Sequence, residues 1–343
     1  MVELTKGNIL DADVEALVNT VNTAGVMGKG IALQFKQAFP QNYEEYRKAC
    51  QQGGVVPGKM FVVPTDRLSN PRFIVNFPTK RHWKGKSRME DITTGLTDLV
   101  DFVRKEGIRS IAIPPLGCGN GGLDWEEVRP KIMAALANLP NVKVLVFTPD
   151  GAPAVEEMPV ATAPPRMNHN RAALITMMFD YGIPGYRLTL LEIQKLAYLL
   201  QLAGQPLKLN FVKQKYGPYA EELNFVLQRM EGHFIRGYGD RSREASVRVL
   251  PEAISEASKF LADDNATMER INRVSDLIEG FENPHGMELL ATVRWVLRED
   301  TDSVQDPDLA IRLVHSWNER KAKIFPPSHI FAAHSQLVER GWT

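Results

Sequence analysis

Only two cysteines, Cys50 and Cys118, occur in 343 residues, and neither stands in a CxxC or Cys/His spacing. A zinc site and a disulfide framework are thereby excluded, and a reducing cytoplasm is the expected compartment. No apolar run approaches the ~20 residues of a membrane span, and the opening "MVELTKGNIL" lacks the charged-then-apolar order of a secretion signal. Charge of one sign is lacking too, with 41 Lys+Arg against 41 Asp+Glu. Residues 1–150 hold 19 basic and 16 acidic side chains, an asymmetry too small to name a partner. Clustered His or carboxylate ligands are missing, so neither a metal nor a cofactor is expected. No internal repeat is visible.

What is present is the composition of a folding chain, 44% hydrophobic and 24% charged, long enough for two domains. "PDGAPAVEEMPVATAPP", Pro149 to Pro165, has five prolines and no apolar periodicity, the pattern of a semi-extended linker. The expected division is a first domain over 1–149, a linker over 150–169 and a second domain over 170–343. In the first, β-rich runs ("VEALVNT", "KMFVV", "RFIVNF", "SIAIPP", "VKVLVFT") alternate with helical patterns near 30–39, 42–50, 89–105 and 125–138, which predicts an α/β fold. After the linker the apolar spacing follows a period of about 3.6 throughout, which predicts a mainly helical domain.

Within "VNTVNTAGVMGKGIALQFKQAF", a buried strand ends and Ile31, Phe35, Ala38 and Phe39 mark one apolar helix face, closed by Pro40. The loop between them carries Gly25, Gly28 and Gly30. Unpartnered N–H groups opening that helix suit an anionic oxygen such as phosphate. The order is not a P-loop, because Ile31 and Ala32 follow where Lys-Ser or Lys-Thr is required. A tight turn without ligand is the bland alternative. A second strand-loop-helix run, "SIAIPPLGCGNGGLDWEEV", places Gly117, Gly119, Gly121 and Gly122 in its loop. "GCGNGG" satisfies the dinucleotide fingerprint literally, but Pro114 and Pro115 separate strand from loop and further βαβ units do not follow. Two such loops suit an elongated diphosphate held through backbone amides.

These residues resemble a known family. "KGNILDADVEALVNTVNTAGVMGKGIALQF" and "IAIPPLGCGNGGLDW" are similar to the two phosphate loops of macrodomains, the ADP-ribose-binding fold of a mixed sheet sandwiched between helices. "MGKGIALQFK" with "FPTKRHWK" most resembles the DarG-like branch, DNA ADP-ribosyl glycohydrolase antitoxins. The resemblance covers about residues 1–149, and the linker with its helical second half matches that branch by layout. It implies an ADP-ribose pocket: Asn8 and Ile9 by the adenine, Asn22 against the distal ribose, and Gly28, Lys29, Gly30 and Ile31 along diphosphate and distal ribose. Gly117, Cys118, Gly119, Asn120, Gly121 and Gly122 would close over the diphosphate. Asn19 is expected to stay structural at the strand end.

"RFIVNFPTKRHWKGKSRMED" reads as a strand stopped by Pro78, with Thr79, expected among the ADP-ribose contacts, and Lys80 at its exit. Arg81, Trp83, Lys84, Lys86 and Arg88 follow, cations around an aromatic ring, either a DNA-tracking patch or a solvated loop. Glycoside cleavage normally uses two carboxylates, and the loops offer no obvious pair. A lysine can act as nucleophile if its pKa is lowered, here expected through neighbouring Arg81 and Lys84. The resemblance implies a catalytic lysine, and Lys80 is the matching position. Asn120 stands where relatives carry an acid. Asp124 is expected to cap the next helix, Cys118 to serve through its backbone, and His82 to lie in the basic patch.

The implied function is removal of ADP-ribose from ADP-ribosylated DNA, at thymidine in single-stranded DNA. The implied partners are that DNA substrate, the ADP-ribose product, and a cognate DNA ADP-ribosyltransferase toxin (DarT-like) bound by the second domain, with no membrane. Removal of ADP-ribose from protein carboxylates, and neutralisation of the toxin without catalysis, are the alternatives. In the second half, "LTLLEIQKLAYLLQLAG" predicts a central core helix in which Tyr198 is packing. The acids Glu299, Asp300, Asp302, Asp306 and Asp308 form either a solvated loop or a mimic of nucleic-acid phosphates for the toxin's groove.

Overall fold

The computed structural model describes residues 2–150, 157–183, 185–239 and 245–343. Two compact units meet in sequence between Ala163 and Pro164. Part of the expected linker, 151–156, lies outside the described residues. Its later part packs on the first unit, where Met158 is buried and the Ala161 N–H donates to the Gln37 carbonyl at 2.8 Å. Among the described residues no helix is long and apolar enough to cross a membrane.

The first unit runs β1 Val2–Thr5, β2 Ala16–Asn22, α1 Gly30–Ala38, α2 Pro40–Gln51, β3 Phe61–Pro64, β4 Phe73–Lys80, α3 Met89–Lys105, β5 Ser110–Ile113, α4 Trp125–Leu136 and β6 Lys143–Phe147. The strands form one sheet in the order β1-β6-β5-β2-β4-β3, parallel except for β3 against β4. Both faces are covered, so β2 is buried along nearly its whole length rather than on alternate residues, its polar Asn19 and Asn22 included. Its side chains still divide by parity. Ala16 and Val18 join Val75, Phe77, Ile113 and Val146 beneath α3 and α4. Leu17 joins Ile74, Ala112 and Phe35 on the α1 side. Helix α3 lies so close to β4 that a Cβ at Gly95 would stand 2.3 Å from Phe77 Cζ.

Three expectations are corrected. β1, an edge strand with two exposed side chains, carries too little apolar signal to be read from "VELT". Pro40 closes α1 but also opens α2 at its first position, where a missing N–H costs nothing. Pro78 does not stop its strand: β4 continues to Lys80, with Pro78 opposite Val21 and Lys80 opposite Asn22, so Thr79 is an extra residue in a bulge. The antiparallel ladder with β3 ends at Asn76, so no β3 bond is lost at the proline.

The second unit contains α5 His169–Tyr181, β7 Leu188–Thr189, α6 Leu190–Leu202, β8 Val212–Gln214, β9 Gly217–Tyr219, α7 Glu222–Met230, β10 Ile235–Arg236, β11 Ser246–Val249, α8 Pro251–Leu261, α9 Asn265–Ile278, α10 Pro284–Glu299, α11 Pro307–Ser316, α12 Glu319–Ile324 and α13 Pro327–Glu339. It is mainly helical, yet a hairpin of β8 and β9 and a three-stranded sheet β10-β11-β7 interrupt the helical period. Strands of two to four residues are too short to show period-two alternation. Helix α6 is central as expected: Glu192 to Leu200 are all buried, and Thr189 and Glu192 close a capping box. Tyr198 is packed against Trp295 and Phe211. The acidic run is less free than its composition suggests. Asp300 caps a short 3-10 turn through the Asp302 N–H, and Asp306 caps α11 through the Leu309 N–H, reducing the acids open to a partner.

Candidate active site

The adjacent strands β5, β2 and β4 send their carboxyl ends to one edge, and the two glycine loops and Lys80 leave from there. In the first loop Asn22 is a brace. Its Oδ1 accepts from the N–H groups of Ala24 (2.9 Å) and Val26 (3.3 Å), and its Nδ2 donates to the Val26 carbonyl at 2.6 Å. Tyr46 donates its hydroxyl to the Asn22 carbonyl from α2. Asn22, expected against a ribose, therefore spends its amide on shaping the loop. Lys29 precedes α1 in extended backbone and offers no side-chain cap, which leaves the opening N–H groups of Gly30 and Ile31 to an external acceptor.

The second loop is folded on itself by Cys118 N–H to the Pro115 carbonyl (3.2 Å), Gly122 N–H to Gly119 (3.1 Å) and Leu123 N–H to Gly117 (3.1 Å). Among the described residues the N–H groups of Gly119, Asn120 and Gly121 meet no acceptor, a cluster of donors of the kind that holds anions. A Cβ at Gly121 would lie 2.2 Å from the Gly117 carbonyl oxygen and 2.3 Å from Ser87 Oγ. The two loops touch, because a Cβ at Gly30, where φ is +60°, would stand 2.8 Å from Asn120 Nδ2. Asn8 caps a short turn through Leu10 N–H at 3.1 Å, and its buried Nδ2 has no partner among the described residues. Ile9 beside it is in the core.

Lys80 is half-buried at the end of β4, and among the described residues its amine has no ion pair. Burial pushes its pKa down. The expected cause, repulsion by Arg81 and Lys84, is not the operative one. Arg81 is bound to the buried carboxylate of Asp91 at 3.0 and 3.4 Å, and Lys84 turns outward over Trp83. Thr79 is buried, with its hydroxyl 3.4 Å from the Val21 carbonyl. Trp83 is 49% exposed, and Lys84, Lys86 and Arg88 are exposed around it. His82 is likewise exposed, its ring 5.4 Å from that of Trp83. Of the proposed strand contacts, then, Arg81 has its charge paired while the others present theirs to solvent.

Ser87 was not singled out in the sequence. Its N–H donates to the Gly121 carbonyl at 3.0 Å, joining the basic segment to the second glycine loop. Nothing local marks it, because a serine among cations reads as surface and only the long-range approach of Gly121 buries it. Burial, aided by the Asp124 charge, pushes the Cys118 thiol up to about 11, which disfavours the thiolate that a nucleophile needs. Asp124 caps α4 through the Glu126 N–H at 3.0 Å. Asn19 is structural, though within the sheet rather than at the strand end. It donates to Asn76, which donates to Asn42, tying β2, β4 and α2 together.

A six-stranded sheet between helix layers, with paired anion-binding loops at one edge, defines the macrodomain class, and the Macro domain family model matches residues 18–132. The DNA ADP-ribosyl glycohydrolase of Thermus aquaticus is 49% identical over 341 residues, covering 99% of this chain and 94% of the relative. The chain belongs to the DNA ADP-ribosyl glycohydrolase family. A Thermosipho africanus protein, named a DNA ADP-ribosyl transferase-DNA ADP-ribosyl glycohydrolase fusion protein, is 35% identical over 161 residues, 43% of this chain and 41% of its own length. Among solved structures, the macrodomain of Mycobacterium tuberculosis DarG is 51% identical, covering 44% of this chain and 99% of that one at a TM-score of 0.43.

Proposed function

We propose that the chain hydrolyses the glycosidic bond between ADP-ribose and a base of ADP-ribosylated DNA, thymidine in single-stranded DNA, and so acts as a cytoplasmic antitoxin to a DNA ADP-ribosyltransferase. The observation that carries this reading is the half-buried amine of Lys80, without an ion pair among the described residues, at the edge where two donor-rich loops meet. The loops take the diphosphate through the N–H groups of Gly30, Ile31, Gly119, Asn120 and Gly121. Gly28, Lys29, Gly117, Cys118 and Gly122 shape the cradle, with Asn8 and Ile9 at the adenine. Lys80 Nζ, neutral, attacks the anomeric carbon of the distal ribose. The carbon–nitrogen bond to the base breaks, the base leaves with the proton lost by the amine, and water then releases ADP-ribose and restores the lysine. Trp83, Lys84, Lys86 and Arg88 track the strand. The second unit holds the toxin; the fusion of transferase and glycohydrolase in the Thermosipho relative supports a transferase as the partner of the chain.

The test is to incubate the protein with an ADP-ribosylated DNA oligomer and identify the products. Free ADP-ribose with restored oligomer is expected; turnover of ADP-ribosylated protein esters alone would replace DNA as substrate. Gly121→Ala should weaken ADP-ribose binding by at least ~10-fold, about 1.4 kcal/mol. Its methyl group overlaps the Gly117 carbonyl, and the loop must open to admit it. Titration calorimetry checks this, and an unchanged dissociation constant would remove the loop from the pocket.

A further inference from the structure

The hairpin β8–β9 of the second unit has a two-residue tip, Lys215-Tyr216, between the paired Gln214 and Gly217. Gly217 closes the tip at φ +93°. The tip is held rigidly from below through three of its carbonyls. Trp317 Nε1 donates to Gln214 at 2.9 Å, Asn318 Nδ2 to Lys215 at 3.1 Å, and the buried Lys195 Nζ to Pro218 at 2.7 Å. What it displays is basic and aromatic. Lys213, Lys215 and Tyr216 are exposed, Tyr216 by 44%. Arg320 lies 4.7 Å from the Tyr216 ring centroid and fixes the orientation of the ring. Lys213 Nζ sits 4.5 Å over Trp317 and Lys215 Nζ 5.5 Å over Tyr216, and neither meets a carboxylate among the described residues. Ammonium groups with no carboxylate partner among the described residues, around an exposed ring on a hydrogen-bonded hairpin, are the parts of a surface that binds phosphates and stacks a base.

We propose that this hairpin is a second single-stranded DNA contact, separate from the Lys84–Arg88 segment: Lys213 and Lys215 bind backbone phosphates and Tyr216 stacks on a base. It extends the reading of the chain as an enzyme of modified DNA and rests on it for the choice of nucleic acid. The full chain and a Lys213→Gln/Lys215→Gln/Tyr216→Ala variant are titrated into a fluorescein-labelled, unmodified oligothymidylate, followed by anisotropy over a series of salt concentrations. The variant is expected to bind about tenfold more weakly, with a log–log salt slope flatter by about 1.4, the release expected for two phosphate contacts on a single strand. Matching thermal unfolding of the two proteins establishes that the variant is folded; a Lys213→Gln/Lys215→Gln variant, which keeps the ring, should show the flatter slope with a smaller loss of affinity. Turnover of ADP-ribosylated thymidine, which has no flanking strand to offer the hairpin, should be unchanged. Equal affinity and slope in a folded variant overturn the proposal. Lack of turnover by the unaltered chain would instead sink the glycohydrolase reading, leaving the binding result to stand or fall separately.

Discussion

Replacing Lys80 with alanine should cut release of ADP-ribose from ADP-ribosylated DNA by at least ~100-fold while leaving ADP-ribose binding nearly intact, because the proposed mechanism gives the chemistry to the amine and the holding to the loops. Turnover and titration calorimetry measure the two separately; undiminished turnover would take Lys80 out of the mechanism. The pH dependence follows from burial. With its pKa lowered, Lys80 yields the neutral amine at a lower pH than an ordinary lysine, so kcat should rise as pH climbs through that lowered value and then level off. The same shift has a stability cost. Between the lowered folded pKa and the ordinary unfolded one, the unfolded chain carries a proton that the folded chain does not, so stability increases with pH across that window. Below it the folded protein must keep a half-buried ammonium. Lys80→Ala should therefore melt no lower than the unaltered protein at neutral pH, a trade of stability for function.

Glu288→Ala should destabilise the second unit by about 3–5 kcal/mol, the usual result of leaving buried charge unmatched. Glu288, on α10, is 2% exposed and accepts from Lys321 at 2.9 Å and from Arg320 at 2.5 and 3.1 Å. Burial alone would raise its pKa, but these cations outweigh it and hold the carboxyl below its ordinary range. Lys321 is completely buried, and Lys195 nearly so. Burial, with the charge of Lys321 beside it, pushes Lys195 down to about 7 against the pull of Glu288. Urea denaturation measures the loss; a change under ~1 kcal/mol would place Glu288 with ordinary exposed pairs. The sign for Lys195 is that of any depressed lysine: its contribution to stability grows as pH rises from about 7 toward the unfolded value of ~10.4. Lys195→Met should flatten that rise.

The alternating layout of the first unit, the two glycine loops and the exit position of Lys80 were all legible, because each is written within a few consecutive residues. A strand, its loop and its helix follow one another in the chain, and turn chemistry is local. The same locality explains the misreadings. Pro78 reads as a stop until its strand is seen to have no partner on the β3 side there and a bulge on the other. Arg81 reads as a free cation until Asp91, ten residues on, takes it. Nothing local links Lys195 and Lys321 to Glu288, and only packing buries the two lysines near that carboxylate.

By itself the sequence determined most of the alternation of strands and helices in the first unit, the two glycine loops and the place of Lys80 at the end of its strand, since these depend on spacing and on residues that turns and helix starts require. Only the tertiary structure decided that the loops meet at Gly30 and Asn120, that Ser87 fastens the basic segment to the second loop, and that burial rather than neighbouring cations lowers the Lys80 pKa. Contacts between residues far apart in the chain, and the removal of water that gives each charge its energy, exist only once the layers have closed.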